Sequence, residues 1–434
     1  MKELYDKYIG CGYRVTTDSR AITGGEMFFA LRGENFDGNA FALKALEAGA
    51  AWAVVSEDAA ALGDDPRLIR VPDPQTTLRD LAVWHRTQVR GGKLPVIGLT
   101  GTNGKTTTKE LIAAVLSRKY RVTATKGNLN NDIGVPLSLL SITPDTEIAV
   151  IEMGANHPDD IEKLVRVSRP DYGLITNVGR AHLLGFGSFE GVKQAKGALY
   201  RWLGQTPGSL IFINEDDADL RGMAAGLPCH FFGYGIDYQG AKLLPTTPDS
   251  PFLGLQVGGT EIHTRLVGAY NAANVLAALA VGDYFGVPKA DAVAAIEAYE
   301  PANQRSQMVR TERNTLIVDA YNANPSSMRA ALENFASLQA PEKLALLGEM
   351  RELGAESVAE HVKVLRLLET LGIPAMLVGE EFAKAVEETG LSGFTCFAAS
   401  PDLASFLKGC RPGGKAILVK GSRGTKMETV LPEL

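Results

Sequence analysis

The 434 residues hold only four cysteines, and Cys11, Cys229, Cys396 and Cys410 stand far apart with no Cys-x-x-Cys pair among them. That scarcity excludes a disulfide framework or a zinc ribbon and suits reduced thiols in a cytosol. No apolar run approaches the roughly 18 residues of a membrane-spanning helix, so no membrane insertion is expected. The opening Met1-Lys2-Glu3-Leu4-Tyr5-Asp6-Lys7 is charged at once and lacks the apolar stretch of a secretory signal. A cytoplasmic location is therefore expected. Basic excess is missing too: 44 Lys and Arg stand against 50 Asp and Glu, a net charge of -6. That balance argues against a nucleic-acid partner, though a local basic pocket for a charged small molecule is still allowed. Internal repeats and low-complexity tracts are absent.

What is present is an ordinary globular composition, 45% apolar and 22% charged, on a chain too long for one core. Three domains are expected. From residue 94 onward, short apolar runs alternate with helix-like stretches. The runs are 96–100, 148–151, 173–176, 315–318, 344–347, 375–378 and 416–419. Continuous apolar runs of this kind predict parallel strands buried on both faces. Ligands of such sheets sit at the carboxyl ends of the strands, which directs attention to the residues just after each run. Ahead of them, 27–31 and 51–55 read as strands of a smaller α/β unit. Pro72, Pro74 and then Gly91-Gly92 place a boundary near 90. A second boundary is expected near 300–312, around Glu300-Pro301-Ala302-Asn303-Gln304-Arg305. Between 205 and 266, short runs broken by Pro, Gly and Asp predict an antiparallel insertion. The expected units are thus 1–90, 91–305 and 306–434.

The run 96–100 leads into Gly101-Thr102-Asn103-Gly104-Lys105-Thr106-Thr107, and an apolar-striped helix begins at Lys105. A glycine loop opening a helix offers free backbone N–H groups and a positive dipole end to phosphate. The lysine reaches the β/γ-phosphates and the Thr106 hydroxyl suits Mg²⁺. The generic phosphate loop places a glycine at position 99, where this chain has Leu99; its glycine is Gly101 instead. Glu152 ends a buried run, where a carboxylate either binds metal or caps the next helix. Lys196 is more unusual. Phe189, Val192, Leu199 and Leu203 form one helical stripe, and Lys196 falls within about 30° of its centre, whereas Lys193 does not. A lysine on a core-facing stripe is costly unless it is paired or neutralised; the alternative is that its stem snorkels outward.

The Gly101–Thr107 variant of the loop resembles that of the Mur ligase family, to which the folylpolyglutamate synthetases are related. The resemblance extends through Thr125-Lys126-Gly127-Asn128-Leu129-Asn130-Asn131, Glu152-Met153-Gly154-Ala155-Asn156-His157, Asn177 to His182, and Gly268-Ala269-Tyr270-Asn271-Ala272-Ala273-Asn274. It continues in Asp319-Ala320-Tyr321-Asn322-Ala323-Asn324-Pro325. It implies a three-domain α/β fold: a small N-terminal α/β UDP-binding domain, a central P-loop parallel-sheet ATPase domain with an antiparallel insertion, and a C-terminal Rossmann-like domain. It implies ATP and two Mg²⁺ ions, one held by Thr106 and the phosphates, the other by Glu152, His182 and Lys196. In several members the lysine matching Lys196 is carbamylated by CO₂, which makes it an anionic ligand. Lys105, Lys196 and His182 would be catalytic. Asn271 and Asn274 would lie near the base, with Tyr270 where many relatives carry histidine. Arg305 and Asp319 would close over ATP, Asp319 toward the ribose.

Asp18-Ser19-Arg20 with Asp37-Gly38 resembles the UDP-binding domain of the third and fourth peptide-adding enzymes, although Asn39 replaces a histidine common there. The 319–325 motif together with Leu347-Gly348-Glu349-Met350-Arg351-Glu352-Leu353-Gly354 resembles the branch that adds D-alanyl-D-alanine to a UDP-N-acetylmuramoyl-tripeptide. The Asp-Asn-Pro-Arg run of diaminopimelate-adding members is absent. Asn128, Tyr321, Asn322, Asn324, Lys420, Ser422 and Arg423 are the substrate-side candidates; for the last three a solvated surface role is an equal alternative. The resemblance implies a monomer that activates a peptide carboxylate as an acyl phosphate. Three other readings stand beside it: a Mur ligase adding a different amino acid, a folylpolyglutamate synthetase-like ligase, and a phosphate-loop ATPase that performs no ligation.

Overall fold

The structure, a computed structural model, describes residues 1–246, 251–301, 305–340 and 342–434. Of the expected second boundary, residues 302–304 lie outside the described residues. The architecture is α/β, with three mainly parallel sheets.

The first sheet orders Val15–Thr16, Met27–Phe29, Trp52–Ser56 and Leu68–Val71, every pairing parallel. The helix Pro74–Gln88 comes next, started by Asp73, whose side chain accepts from the N–H groups of Gln75 and Thr76. Its apolar face joins Tyr8, Leu78 and Leu81 to Val135, Leu139 and Leu164 of the central unit in one core. Buried polar links cross the same seam. Tyr8 donates to the Leu140 carbonyl at 2.6 Å, and His85 Nε2 donates to that of Ile142 at 2.9 Å.

The central sheet has six parallel strands in the order His230–Tyr234, Leu210–Asn214, Tyr172–Ile175, Val96–Thr100, Ile148–Glu152, Val122–Ala124. Val96–Thr100 and Ile148–Glu152 are buried throughout, as continuous apolar runs require when helices cover both faces. The connection leaving Val96–Thr100 runs to the edge strand Val122–Ala124 on one side, and the one leaving Ile148–Glu152 crosses to Tyr172–Ile175 on the other, so the loop after Val96–Thr100 opens at the switch point where ligands bind. The helix Ala272–Tyr284 is apolar on nearly every side and packs so closely on Lys105–Leu116 that a Cβ on Gly282 would lie 2.5 Å from Val115 Cγ1.

The expected antiparallel insertion is narrower than 205–266. Leu210–Asn214 and His230–Tyr234 extend the parallel sheet, and the antiparallel part is Lys242–Leu244, Gly254–Val257 and Thr260–His263. The reason is burial: all five residues of Leu210–Asn214 are buried, which an edge hairpin would not achieve.

The third sheet orders Gln307–Arg310, Thr315–Asp319, Ala416–Lys420, Lys343–Gly348, Ala375–Val378 and Thr395–Phe397. Only its first pairing is antiparallel. The carboxyl ends of Thr315–Asp319 and Ala416–Lys420 are register partners, Asp319 opposite Lys420.

Candidate active site

A cavity of about 830 Å³ lies between the central and C-terminal sheets, and the loop Thr102–Lys105 forms part of its wall. The loop's shape rests on two glycines. Gly101 has φ +149°, and a Cβ there would meet Thr176 Oγ1 at 1.9 Å; Gly104 has φ +77°, and a Cβ would lie 2.7 Å from Asn274 Oδ1. Any side chain at either position collides with its neighbour. Asn177 braces the loop from the next strand end: its Oδ1 accepts from Asn103 N–H, and its Nδ2 donates to the Asn103 carbonyl, both at 3.0 Å. Asn274 accepts from Thr108 Oγ1 at 3.0 Å and donates to Asn271 Oδ1 at 2.8 Å. The two asparagines thereby tie the phosphate-loop helix to the helix after Gly268, and both line the cavity.

Lys105 is folded back over its own loop, donating to the carbonyls of Gly101 at 2.8 Å and Thr102 at 3.0 Å. Burial lowers its pKa to about 8; the Glu152 carboxylate pulls it up and Arg305 pushes it further down. The side chains of Thr106 and Thr107 are buried at the helix start. Thr106 Oγ1 donates to Glu152 Oε1 at 3.2 Å, and Asn130 Nδ2 donates to the same oxygen at 2.8 Å. Glu152 is 1% exposed, and its other oxygen, Oε2, is buried without a partner. An orphaned carboxylate oxygen beside a threonine hydroxyl, facing a phosphate loop, is the donor set a hard divalent cation takes. Among the described residues no three His, Cys, Asp or Glu side chains gather round one point. Such an ion would therefore draw its remaining oxygens from phosphate and water, as Mg²⁺ usually does.

Lys196 sits on the buried face of Phe189–Gln205, 2% exposed, with its ammonium 5.8 Å over the Phe186 ring. Lys193 points outward to Asp219 at 2.8 Å. Burial drives the Lys196 pKa well below the ordinary lysine value and the Lys105 cation adds to the effect, while Asp160 opposes it. His182 lines the cavity, but its Nδ1 is engaged by Glu352 of the C-terminal unit. Burial lowers its pKa, with Glu352 acting against the shift. Glu352 also takes the Leu184 N–H on its carbonyl at 3.2 Å.

From the C-terminal side, Lys420 Nζ donates to Asp319 Oδ2 at 2.5 Å and to the Asn322 carbonyl at 3.2 Å. The Arg305 guanidinium stands over the Tyr321 ring, 3.8 Å from its centroid. Asn324 Nδ2 donates to Asn103 Oδ1 at 2.8 Å. Arg305, Asp319, Tyr321, Asn322, Asn324 and Lys420 all line the cavity, as does Asn128. Ser422 does not; it is buried, accepting from Arg351 N–H at 2.9 Å. Arg423 pairs with Glu428 at 3.1 Å at the surface, its guanidinium 6.0 Å from the Tyr321 ring. Asp18, Ser19 and Arg20 form a surface turn outside this cavity, Asp18 gripping the Arg20 guanidinium at 2.9 and 2.8 Å. Asn39 is buried against Asp37 and Ser56. Sequence reasoning passed over Asn130 and Glu352 as individual site residues, although both lie inside motifs it singled out. What distinguishes them is the partner each meets in space.

Three stretches match known domains: residues 13–86 the Mur ligase family catalytic domain, 99–282 the Mur ligase middle domain, and 304–423 the Mur ligase glutamate ligase domain. A ligase from Escherichia coli, UDP-N-acetylmuramoyl-tripeptide--D-alanyl-D-alanine ligase, is 36% identical; the alignment covers 97% of this chain and 93% of that one. The chain belongs to the Mur ligase family. Its fold agrees with that of solved members. The MurF structure from Acinetobacter baumannii superposes with a TM-score of 0.83 at 31% identity, covering 97% of this chain and 93% of that one. MurF from Thermotoga maritima, solved in complex with ADP, gives 0.82 at 26% identity, covering 97% and 96%. Within this Mur ligase the phosphate loop, the Glu152 strand end and the Asp319–Lys420 pair enclose one cavity, the arrangement an ATP-dependent carboxylate activation needs.

Proposed function

We propose that this Mur ligase joins D-alanyl-D-alanine to a UDP-N-acetylmuramoyl-tripeptide, using ATP, in the synthesis of peptidoglycan precursors. The observation that carries the reading is the orphaned Glu152 oxygen beside Thr106, in a cavity whose opposite wall comes from the C-terminal unit. Likeness over nearly the whole length to enzymes named for that reaction supports the choice of substrates. The match of residues 13–86 supports an N-terminal unit for the nucleotide-linked substrate, which argues against the folylpolyglutamate synthetase-like alternative. We assign the units as 1–90, 91–305 and 306–434.

The γ-phosphoryl group of ATP passes to an oxygen of the peptide carboxylate; an O–P bond forms and ADP leaves. The dipeptide amine then attacks the acyl carbon, a C–N bond forms, phosphate departs and the nitrogen loses a proton. Lys105 leaves its loop carbonyls for the phosphates and neutralises charge as the phosphoryl group moves. Gly101, Thr102, Asn103, Gly104 and Thr107 shape the cradle. Asn271, Asn274 and Arg305 hold the nucleoside end, and Asp319 takes the ribose, kept oriented by Lys420. Thr106 would hold one Mg²⁺ with the phosphates, and Glu152, His182 and a carbamylated Lys196 would hold a second; cations there would neutralise phosphate charge. Asn128, Tyr321, Asn322 and Asn324 face the peptide substrates. Asp18, Ser19 and Arg20 take the uridine diphosphate. Ser422 and Arg423, outside the cavity wall, support it through Arg351 and Tyr321. The chain acts as a cytoplasmic monomer without nucleic acid, and no helix among the described residues is long and apolar enough to cross a membrane.

The test is an amine panel with UDP-linked tripeptide, ATP and Mg²⁺, read by phosphate release and product mass. Phosphate release that requires both the tripeptide and D-alanyl-D-alanine, with a product carrying the added dipeptide, is the expected result. Preference for another amine, or turnover of ATP with neither substrate, overturns it.

A further inference from the structure

A second cavity, about 320 Å³, opens beside the first and shares Ser326 and Ala330 with it. It is a groove between two helices. On Pro325–Ser337 its wall is Ser326, Arg329, Ala330 and Glu333, with Pro325 at the helix start; on Ser357–Leu371 it is Glu360, Lys363, Val364 and Leu367. Each set is spaced i, i+3, i+4, i+7, one stripe of a helix. Arg180 from the central unit closes the groove.

The charges in it are not equivalent. Arg180 pairs with Glu356 at 3.1 Å, and Lys363 pairs with Glu360 at 2.6 Å. Arg329 is exposed and has no acidic partner among the described residues. Ala330, Val364 and Leu367 give the groove an apolar floor. The groove also runs to the phosphate loop: a Cβ on Gly179 would lie 2.9 Å from Ser326 Oγ and 3.4 Å from Thr102 Cγ2.

We infer that this groove seats the incoming dipeptide, with its terminal carboxylate on Arg329, its methyl groups on the Ala330–Val364–Leu367 floor and its amine directed past Ser326 into the main cavity. The inference rests on the ligation reading above and deepens it. Size agrees, because about 320 Å³ is at the small end of ligand pockets. Length agrees as well. An extended dipeptide spans at most about 7 Å. Arg329 stands three residues beyond Ser326, about 4.5 Å of helix rise, and its side chain supplies the remaining reach; Glu333 is about 10 Å beyond Ser326, past the end of the ligand. A guanidinium that makes no ion pair of its own is the group that grips a carboxylate by two parallel hydrogen bonds.

The experiment measures KM for each of the three substrates in wild type, Arg329→Ala and Arg329→Lys, and repeats the series with the C-terminal amide of the dipeptide. Loss of one charge-assisted contact predicts a rise of about tenfold in KM for the dipeptide in Arg329→Ala, with KM for ATP and for the UDP-tripeptide unmoved. Wild type should prefer the acid to the amide. Arg329→Ala should lose that preference, and Arg329→Lys should recover part of it. An unchanged dipeptide KM, or a wild type indifferent to the amide, overturns the inference. So does a rise confined to the UDP-tripeptide, which would place the tripeptide's own end in the groove. If Arg329→Ala does not fold, the acid–amide comparison in wild type decides alone. Failure of wild type to ligate any amine would instead overturn the ligation reading itself.

Discussion

Asn324 Nδ2 donates to Asn103 Oδ1 at 2.8 Å, while Asn324 Oδ1 accepts from Ser327 N–H at 2.9 Å. One side chain therefore starts a helix of the C-terminal unit and holds the phosphate loop of the central one. Its two functions separate by substitution. Asn324→Asp keeps the capping acceptor but turns the donor into a carboxylate facing the phosphate site. It should melt close to wild type and show a KM for ATP raised about tenfold. Asn324→Ala should lose both, with about 1 kcal/mol less stability. Thermal melting beside an ATP titration distinguishes the two, and an Asn324→Asp enzyme with unaltered ATP dependence would remove the link from the nucleotide site.

Glu152→Gln tests whether the orphaned oxygen is kept for a cation. A buried carboxylate with one unsatisfied oxygen costs stability in the free protein, so the neutral amide should leave the melting temperature equal or higher. Catalysis should fall about 100-fold, the scale for losing one group that stabilises transition-state charge. Added Mg²⁺ should no longer sharpen the binding of ADP, read by calorimetry. A variant that is destabilised yet still active would show that Glu152 only caps the helix start.

Much of this site is legible in the amino-acid order alone. The run 96–100 is apolar up to Thr100, and glycines at 101 and 104 mark a tight loop before the apolar-striped helix at Lys105, so the order strand, loop, helix is readable locally. Lys196 is legible because an apolar helical stripe ordinarily excludes an ammonium, and its burial agrees. The direction of Leu210–Asn214 is not. A buried apolar run carries no mark of whether its neighbour runs parallel or antiparallel, and the Pro, Gly and Asp around it resemble hairpin punctuation. Asp319 and Lys420 were both candidates, but their pairing depends on the third sheet placing Ala416–Lys420 beside Thr315–Asp319. His182 and Glu352 are 170 residues apart, and no periodicity connects them.

His85 makes stability depend on pH at the seam between the first two units. Its Nε2–H donates to the Ile142 carbonyl at 2.9 Å, so its Nδ1 accepts from Tyr5 OH at 3.1 Å, and the ring is held neutral. Burial lowers its pKa to about 4, with the Ile142 hydrogen bond opposing. The unfolded chain takes up this proton near pH 6.5 and the folded chain only near 4. The unfolded state therefore binds more protons in between. Stability is complete above about 6.5 and falls by about 1.4 kcal/mol per unit as pH drops toward 4. Urea denaturation at about pH 7, 6 and 5 should show that slope in wild type, and His85→Gln should flatten it. Equal slopes would place the acid sensitivity elsewhere.

Lys196 offers the sharpest test of the proposed second cation position. Its ammonium is desolvated and lies near the Lys105 charge, and both lower its pKa well below the ordinary lysine value, in the direction of the neutral amine. Neutral amine is what CO₂ requires: the nitrogen lone pair bonds the carbon, one proton leaves, and a carbamate anion remains. That replaces two repelling cations by a cation and an anion, which favours the product. Enzyme prepared in CO₂-free buffer should lose activity and regain it with ¹³C-bicarbonate, with a carbamate carbon signal appearing in step. Lys196→Ala should lose most activity and recover part of it with formate or acetate, which return a carboxylate to the vacated space. An alanine variant of full activity, or recovery with bicarbonate and no carbamate signal, would leave Lys196 as a buried cation whose cost the fold bears for another reason.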